Sequence, residues 1–172
     1  MPSKFGVTLA LLIPVVFTGC SSDQKLPLAS SLFGARGYES LRHPVEVEAY
    51  RIKPIVGALR ARQKDIGNYP IISGPAKVES KSQKDLQRIL SSSLTYSWFS
   101  AKSCEFQPGV AVRFIGKESI TDVLFCFSCN ELKINVDGSR VGGEDFDKRR
   151  AELVAIVKRV FPNDGVVQKL EP

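Results

Sequence analysis

Two apolar runs, Val110 to Ile115 and Ile120 to Phe127, flank the short polar stretch Gly116-Lys117-Glu118-Ser119. No other feature constrains the fold as tightly. Runs rich in Val, Ile and Phe on either side of a few turn residues make a β-hairpin. With Lys117 and Glu118 as a two-residue turn, Val112 opposes Val123, Val110 opposes Phe125, and Arg113 opposes Asp122. Apolar residues then meet apolar ones, and the Arg of one strand meets the Asp of the other. Such facing pairs stabilise a register by ~0.2–1 kcal/mol relative to Ala pairs. A third strand follows at 131–136, and Asp137-Gly138 is a type I′ turn signal returning a short strand, Ser139 to Val141.

The remaining elements fit around this meander. Val45, Val47 and Ala49 alternate with Glu46, Glu48 and Tyr50, which reads as a half-buried strand over 45–52 ended by Pro54. Tyr69 to Ser73 reads as a further short strand, resuming at 76–78 after Gly74-Pro75. The stretch 55–68 stays open: Ile55 to Lys64 suits a short helix, but Gly57 and Gly67 work against it. Ser80-x-x-Gln83 has the capping-box pattern, and Leu86, Ile89 and Leu90 share one face of a helix over 82–92. A last helix spans about 147–161, with Asp145 or Asp147 as cap, Leu153, Ile156, Val157 and Val160 as its apolar stripe, and Pro162 as its stop. Lys148, Arg149 and Arg150 sit at its positive end, so they should find acidic partners or solvent. The expected architecture is α+β. A meander of three to four strands plus one or two N-terminal strands carries two helices packed on one face.

The N-terminus says where such a domain would reside. Lys4 is followed by an apolar run, Phe5 to Phe17, and then by Phe17-Thr18-Gly19-Cys20. A membrane-spanning helix needs roughly 20 apolar residues to cross ~30 Å of hydrocarbon. This run is shorter and interrupted by Pro14. Its layout is that of a secretory signal, and Phe17-Thr18-Gly19-Cys20 resembles the lipobox of bacterial lipoproteins, although Phe17 stands where an aliphatic residue is usual. The resemblance implies cleavage before Cys20, a diacylglyceryl thioether on Cys20 and acylation of its amine. Several acyl chains give stable anchoring where one does not. It implies a location at the cell membrane or, in a Gram-negative host and with Ser21 following, the outer membrane. Residues 1–19 would then be signal peptide, 20–43 a tether kept irregular by Pro27, Ser30, Ser31, Gly34 and Gly37, and 44–172 a single domain. Leu32, Phe33 and Tyr38 are apolar enough for part of the tether to dock. Loss of Lys4 lowers the formal charge from +6 to +5, which suits an anionic membrane or an acidic envelope polymer. Export excludes nucleic acid as a partner, and the expected partners are the bilayer and an envelope protein or polymer.

Chemistry has few candidates. Cys126-Phe127-Ser128-Cys129 has redox spacing, but strand residues surround it and no helix opens there to activate a thiolate. Zinc needs four ligands, and Cys104, Cys126, Cys129 and His43 are the ones on offer. Export favours a disulfide. Cys104–Cys126, Cys104–Cys129 and Cys126–Cys129 all remain open, and with Cys20 lipidated one cysteine is left over in each. A calcium loop starting at Asp137 fails at Val141 and Lys148, where oxygen ligands belong. There is no Gly-x-Ser-x-Gly or His-Glu-x-x-His, so no catalytic residue is assigned and no cofactor expected. Most of the aromatic residues suit the core. Tyr96 and Trp98, if exposed, form the candidate binding patch. The segment from Cys104 to Cys129, continuing through Glu144-Asp145-Phe146-Asp147 to Phe161-Pro162, resembles uncharacterised bacterial exported proteins, which implies a domain without implying an activity. The reading is a membrane-anchored envelope lipoprotein with a non-enzymatic binding or structural domain. The alternative is a thiol-redox or zinc-thiolate protein using Cys104, Cys126 and Cys129.

Overall fold

The structure is a computed structural model describing residues 28–54, 64–100 and 102–172. The signal segment, Cys20 and residues 55–63 of the ambiguous stretch 55–68 lie outside the described residues, while Asp65–Ile66 of that stretch is a short strand. The fold is mixed α+β, built on an antiparallel sheet of seven strands in the order β2-β3-β1-β4-β5-β6-β7. In chain order these are β1 (Glu46–Ile52), β2 (Asp65–Ile66), β3 (Tyr69–Lys77), β4 (Val110–Ile115), β5 (Ile120–Cys126), β6 (Glu131–Val136) and β7 (Ser139–Asp145). Four helices accompany them among the described residues: α1 (Ala29–Arg42), α2 (Ser80–Leu90), α3 (Arg150–Val160) and the short α4 (Gly165–Gln168).

The hairpin register is the one the sequence dictates. Val112 faces Val123, Val110 faces Phe125, and Arg113 faces Asp122. The Arg113 guanidinium grips both Asp122 oxygens, Nε to Oδ1 at 2.7 Å and the terminal nitrogen to Oδ2 at 2.9 Å. Asp137 and Gly138 take positive φ, 50° and 81°, in the turn from β6 to β7.

Four expectations are corrected. Residues 29–42 are not an irregular tether but helix α1, with Phe33 and Leu41 fully buried. The glycines serve other ends than breaking it. Gly34, at φ 66°, forms the kink between two helical pieces, and Gly37 lets the helix touch the sheet, since a Cβ there would lie 2.6 Å from Val136 Cγ2. Helix α2 starts at Ser80 without the expected side-chain cap, its N-cap position being Glu79. The acids before α3 do not cap it either, and bind side chains described below. Strand β7 also runs past Val141 to Asp145, because Gly142 admits the Leu32 carbonyl where a Cβ would collide with it.

Strand side chains alternate between two sides, and each side has its own buried cluster. Val47, Ala49, Val110, Val112, Phe114, Val123, Phe125, Leu132 and Ile134 pack with Phe33 and Leu41 of α1, Leu86, Ile89 and Leu90 of α2, and Leu153, Ile156 and Val157 of α3. The alternate residues Tyr50, Ile52, Ala111 and Leu124 pack with Ile66 and Tyr69 from the β2–β3 hairpin, joined by Ile71 and Phe106. This second cover explains why β1, expected to be half-buried, is buried on both sides from Ala49 to Ile52.

Candidate functional site

The cysteines stand at the end of β5, on the side of the second cluster. The sulfurs of Cys104 and Cys129 are at disulfide distance, with Cα atoms 5.9 Å apart and 25 residues between them in sequence. Of the three pairings open from sequence, this is the one the structure brings together. Cys126 is the odd thiol. It is fully buried, accepts a 3.3 Å bond from the Gln107 backbone N–H, and lies 3.2 Å from Ser128 Oγ. The pair therefore spans two chain segments and does not close within Cys-x-x-Cys. It clips residues 102–109 over the second cluster, where Phe106 meets Tyr69 edge-on at 6.3 Å and lies under Lys133 Nζ at 4.0 Å.

A polar network holds the turn that carries Cys129. Lys102 Nζ donates to the Cys129 carbonyl at 2.8 Å and to Asp147 Oδ2 at 2.7 Å. Asn130 Nδ2 donates to Asp147 Oδ1 at 2.8 Å, and Arg150 donates to the Phe127 carbonyl and to Asn130 Oδ1. Asp145, 6% exposed, accepts from Ser100 Oγ. Burial pushes the Asp147 carboxyl up, but bonds from Lys102 and Asn130 outweigh it and hold the group below its ordinary value. The acids near Gly142-Gly143, read from sequence as caps, thus tie the loop to the helix start. Arg150, expected to seek acid or solvent, instead fixes the turn through Phe127 and Asn130.

The aromatic patch is corrected in part. Tyr96 is fully buried, donates its hydroxyl to the Leu90 carbonyl at 2.6 Å and packs edge-on against Trp98 at 5.2 Å. Burial pushes its phenol far up. Trp98 is half-buried, with Nε1 donating to the Ser93 carbonyl at 2.8 Å. The exposed aromatic of this segment is Phe99, at 74%. Its sequence signal is weak, because nothing in Tyr96-Ser97-Trp98-Phe99 says which ring turns outward.

His43 lies away from the cysteines. It caps the C-terminus of α1 and lines a recess of about 690 Å³ between that helix and the Gly116–Ser119 turn. Strand β5 separates that turn from Cys126, roughly 20 Å at 3.3 Å per residue. Among the described residues no group of three or more His, Cys, Asp and Glu side chains is placed to hold a metal ion. Three of the polar side chains there, Ser40, Ser119 and Arg36, are engaged with their neighbours. Ser40 bonds the Ser119 carbonyl at 3.1 Å, and Arg36 bonds the Glu118 carbonyl at 2.7 Å and Asp137 at 3.0 Å.

No family model matches the chain, and neither does any curated protein or solved structure.

Proposed function

We propose that this chain is a lipid-anchored protein of the bacterial cell envelope whose domain binds a partner and performs no catalysis. The anchor is Cys20, acylated after cleavage of the signal segment, on the strength of Phe17-Thr18-Gly19-Cys20. One observation carries the rest: Cys104 pairs with Cys129, leaving Cys126 buried against Gln107 and Ser128. A redox pair needs an accessible, activated thiolate, and a bridge spanning 25 residues that staples a loop favours a structural clip. Such bridges suit an oxidising compartment. Among the described residues no helix is long and apolar enough to cross a membrane. In this reading β4 to β7 are the expected meander, and helices cover one face of it. The opposite face, covered among the described residues by the β2–β3 hairpin and the clipped loop, is left to meet a partner, an envelope protein or polymer.

Mass spectrometry of the non-reduced mature chain tests this directly. The expected result is an acylated N-terminal Cys20 peptide, a Cys104–Cys129 cross-linked peptide, and one thiol at Cys126 that alkylates only after denaturation. An unmodified N-terminus would remove the anchor. A Cys126–Cys129 bridge that mild reductant opens would return the thiol-redox alternative.

A further inference from the structure

We propose that the domain itself docks on the lipid surface that anchors it, through an apolar end formed by Leu28, Leu94, Trp98 and Phe99. This deepens the reading of the chain as a lipid-anchored protein and rests on it.

Ser93 gathers these four residues. Its hydroxyl accepts the N–H of Ala29, the first residue of α1, at 3.0 Å, and its carbonyl accepts the Trp98 indole N–H at 2.8 Å. Leu28 precedes Ala29, Leu94 follows Ser93, and Phe99 follows Trp98. The hydrogen bonds thus draw three separate stretches of chain to one place. Leu28 is 68% exposed, Leu94 62% and Phe99 74%, while Trp98 is half-buried. Single exposed apolar residues are ordinary on a protein surface, whereas contiguous ones mark an interaction site.

Phe99 is also held outward against the preference of its backbone. The Ser100 N–H donates to the Ser97 carbonyl at 3.1 Å and closes a turn with Phe99 at its third position. The φ of Phe99 is 69°, a value that this position of a turn reserves for glycine, and a bulky residue there is an outlier. Asp145 fixes both ends of the turn. Its carbonyl accepts the Ser97 N–H at 2.9 Å, and its carboxylate accepts the Ser100 hydroxyl. Residues kept in such strained conformations cluster at sites of function.

The occupant follows from where the chain enters the domain. Residues 21–27 separate Cys20 from Leu28. At ~3.6 Å per residue, an acylated Cys20 lies within roughly 29 Å of Leu28, about the diameter of a small domain. The end of the molecule that carries Leu28 is therefore kept toward the bilayer. Trp and Phe beside Leu are the side chains that enter the boundary between headgroups and acyl chains. The charges at the margin do not oppose this. Lys102 pairs with Asp145 at 3.4 Å and with Asp147 at 2.7 Å. Lys148 is exposed, with Nζ 3.3 Å from the Tyr96 carbonyl, and suits a lipid phosphate.

Trp98 is the only tryptophan of the chain, so its fluorescence reports on this end alone. The test takes the acylated mature chain in vesicles of phosphatidylcholine and phosphatidylglycerol whose acyl chains carry bromine near the headgroup. Flotation with the vesicles reads the anchor. Quenching of Trp98 reads the docking, since a docked apolar face sits ~5–10 Å into the boundary. The expected result is emission largely quenched relative to vesicles without bromine. Leu94→Ser combined with Phe99→Ser, checked for fold by circular dichroism, should restore the emission and leave flotation unchanged. Val166→Ser, at an equally exposed site on α4 (67%), should leave the quenching as it was. Phe99→Gly suits the turn better than Phe, so it should keep the urea midpoint while it weakens the quenching. A clear fall in that midpoint would make the ring part of the fold and overturn the proposal. A floating chain with Trp98 unquenched, quenching unchanged in the double variant, or an equal loss in Val166→Ser would overturn it too, and would leave the anchor standing. A chain that does not float would remove the anchor and the docking with it.

Discussion

On one side of the sheet, Phe114, Val123, Phe125, Leu132 and Ile134 are sealed to 0% exposure beneath residues of three helices. On the other, Tyr50, Ala111 and Leu124 share their ground with the Arg113–Asp122 pair, Lys133 and Asn135, under a two-residue strand and a clipped loop. The first side gains stability from apolar area, about 25 cal/mol for each Å² withdrawn from water. The second buries less apolar surface and depends on a covalent link, an ion pair and aromatic contacts. A core that is dry on one side can afford polar, partly open chemistry on the other, where ligands are met.

Truncating adjacent residues of β5 breaks or sharpens this contrast. Phe125 packs against Phe127 at 6.0 Å and Phe146 at 5.9 Å, and Phe125→Ala should cost about 3–5 kcal/mol in urea unfolding. Leu124→Ala, one residue away but on the other side of the sheet beside a surface recess lined by Tyr69, Asn135 and Arg140, should cost about 2–3 kcal/mol, because the cavity opens toward water and collapses more readily. A larger loss at Leu124 than at Phe125 would overturn the comparison. Next comes the clip. Replacing both Cys104 and Cys129 by Ser frees a 25-residue loop, for which chain entropy gives about 3.5 kcal/mol. The loss should be local in its first signs, with faster amide exchange at residues 102–109 while α2 and α3 keep their protection.

The sequence spoke clearly where alternation and turn chemistry agree. Val110 to Phe127 could be registered to the residue because one Arg and one Asp had to meet, and Asp137-Gly138 left no choice of turn. It misled where one residue type serves two purposes. Gly34 and Gly37 read as irregularity, yet Gly37, with Gly142 of β7, is where α1 approaches the sheet, a contact no local pattern announces. Gly67-Asn68 is itself a two-residue hairpin signal, obscured by the ambiguity of the stretch before it. The candidate thiols were legible, but their partnership was not, since Cys104 meets Cys129 only once the loop has folded over the sheet.

Charge also marks the rim of the helix-covered side, and there its contribution should be smaller and dependent on pH. Asp164 accepts bonds from the N–H groups of Val166 and Val167 at the start of α4 and from Arg51 Nε at 2.8 Å. Burial raises its carboxyl, but the Val167 N–H and the Arg51 guanidinium prevail and hold it below the ordinary value. A group depressed in the folded state stabilises fully above its unfolded pKa, about 3.9, and loses that contribution as pH falls through the folded value. Asp164→Asn should therefore cost about 2 kcal/mol near neutrality, and the gap to the parent should close only below about pH 4. A gap that stayed constant down to pH 2 would show that a lost acceptor oxygen, not the charge, carries the effect.

The smallest expected effect lies between α2 and α3. Arg88 reaches Glu152 at 2.8 Å, with both side chains well exposed, 57% and 39%. Water screens such a pair and side-chain entropy opposes it, so a double-mutant cycle on Arg88→Ala and Glu152→Ala should give a coupling of about 0.2–1 kcal/mol that fades in molar salt. Glu152 is also bonded by Arg149 at 2.6 Å, so the coupling should fall toward the low end, the carboxylate keeping one partner when Arg88 is gone. A coupling above about 2 kcal/mol would mean that the two helices are held together by charge as much as by Leu86, Ile89 and Val157. The helix-covered side would then not be the purely apolar counterpart of its neighbour.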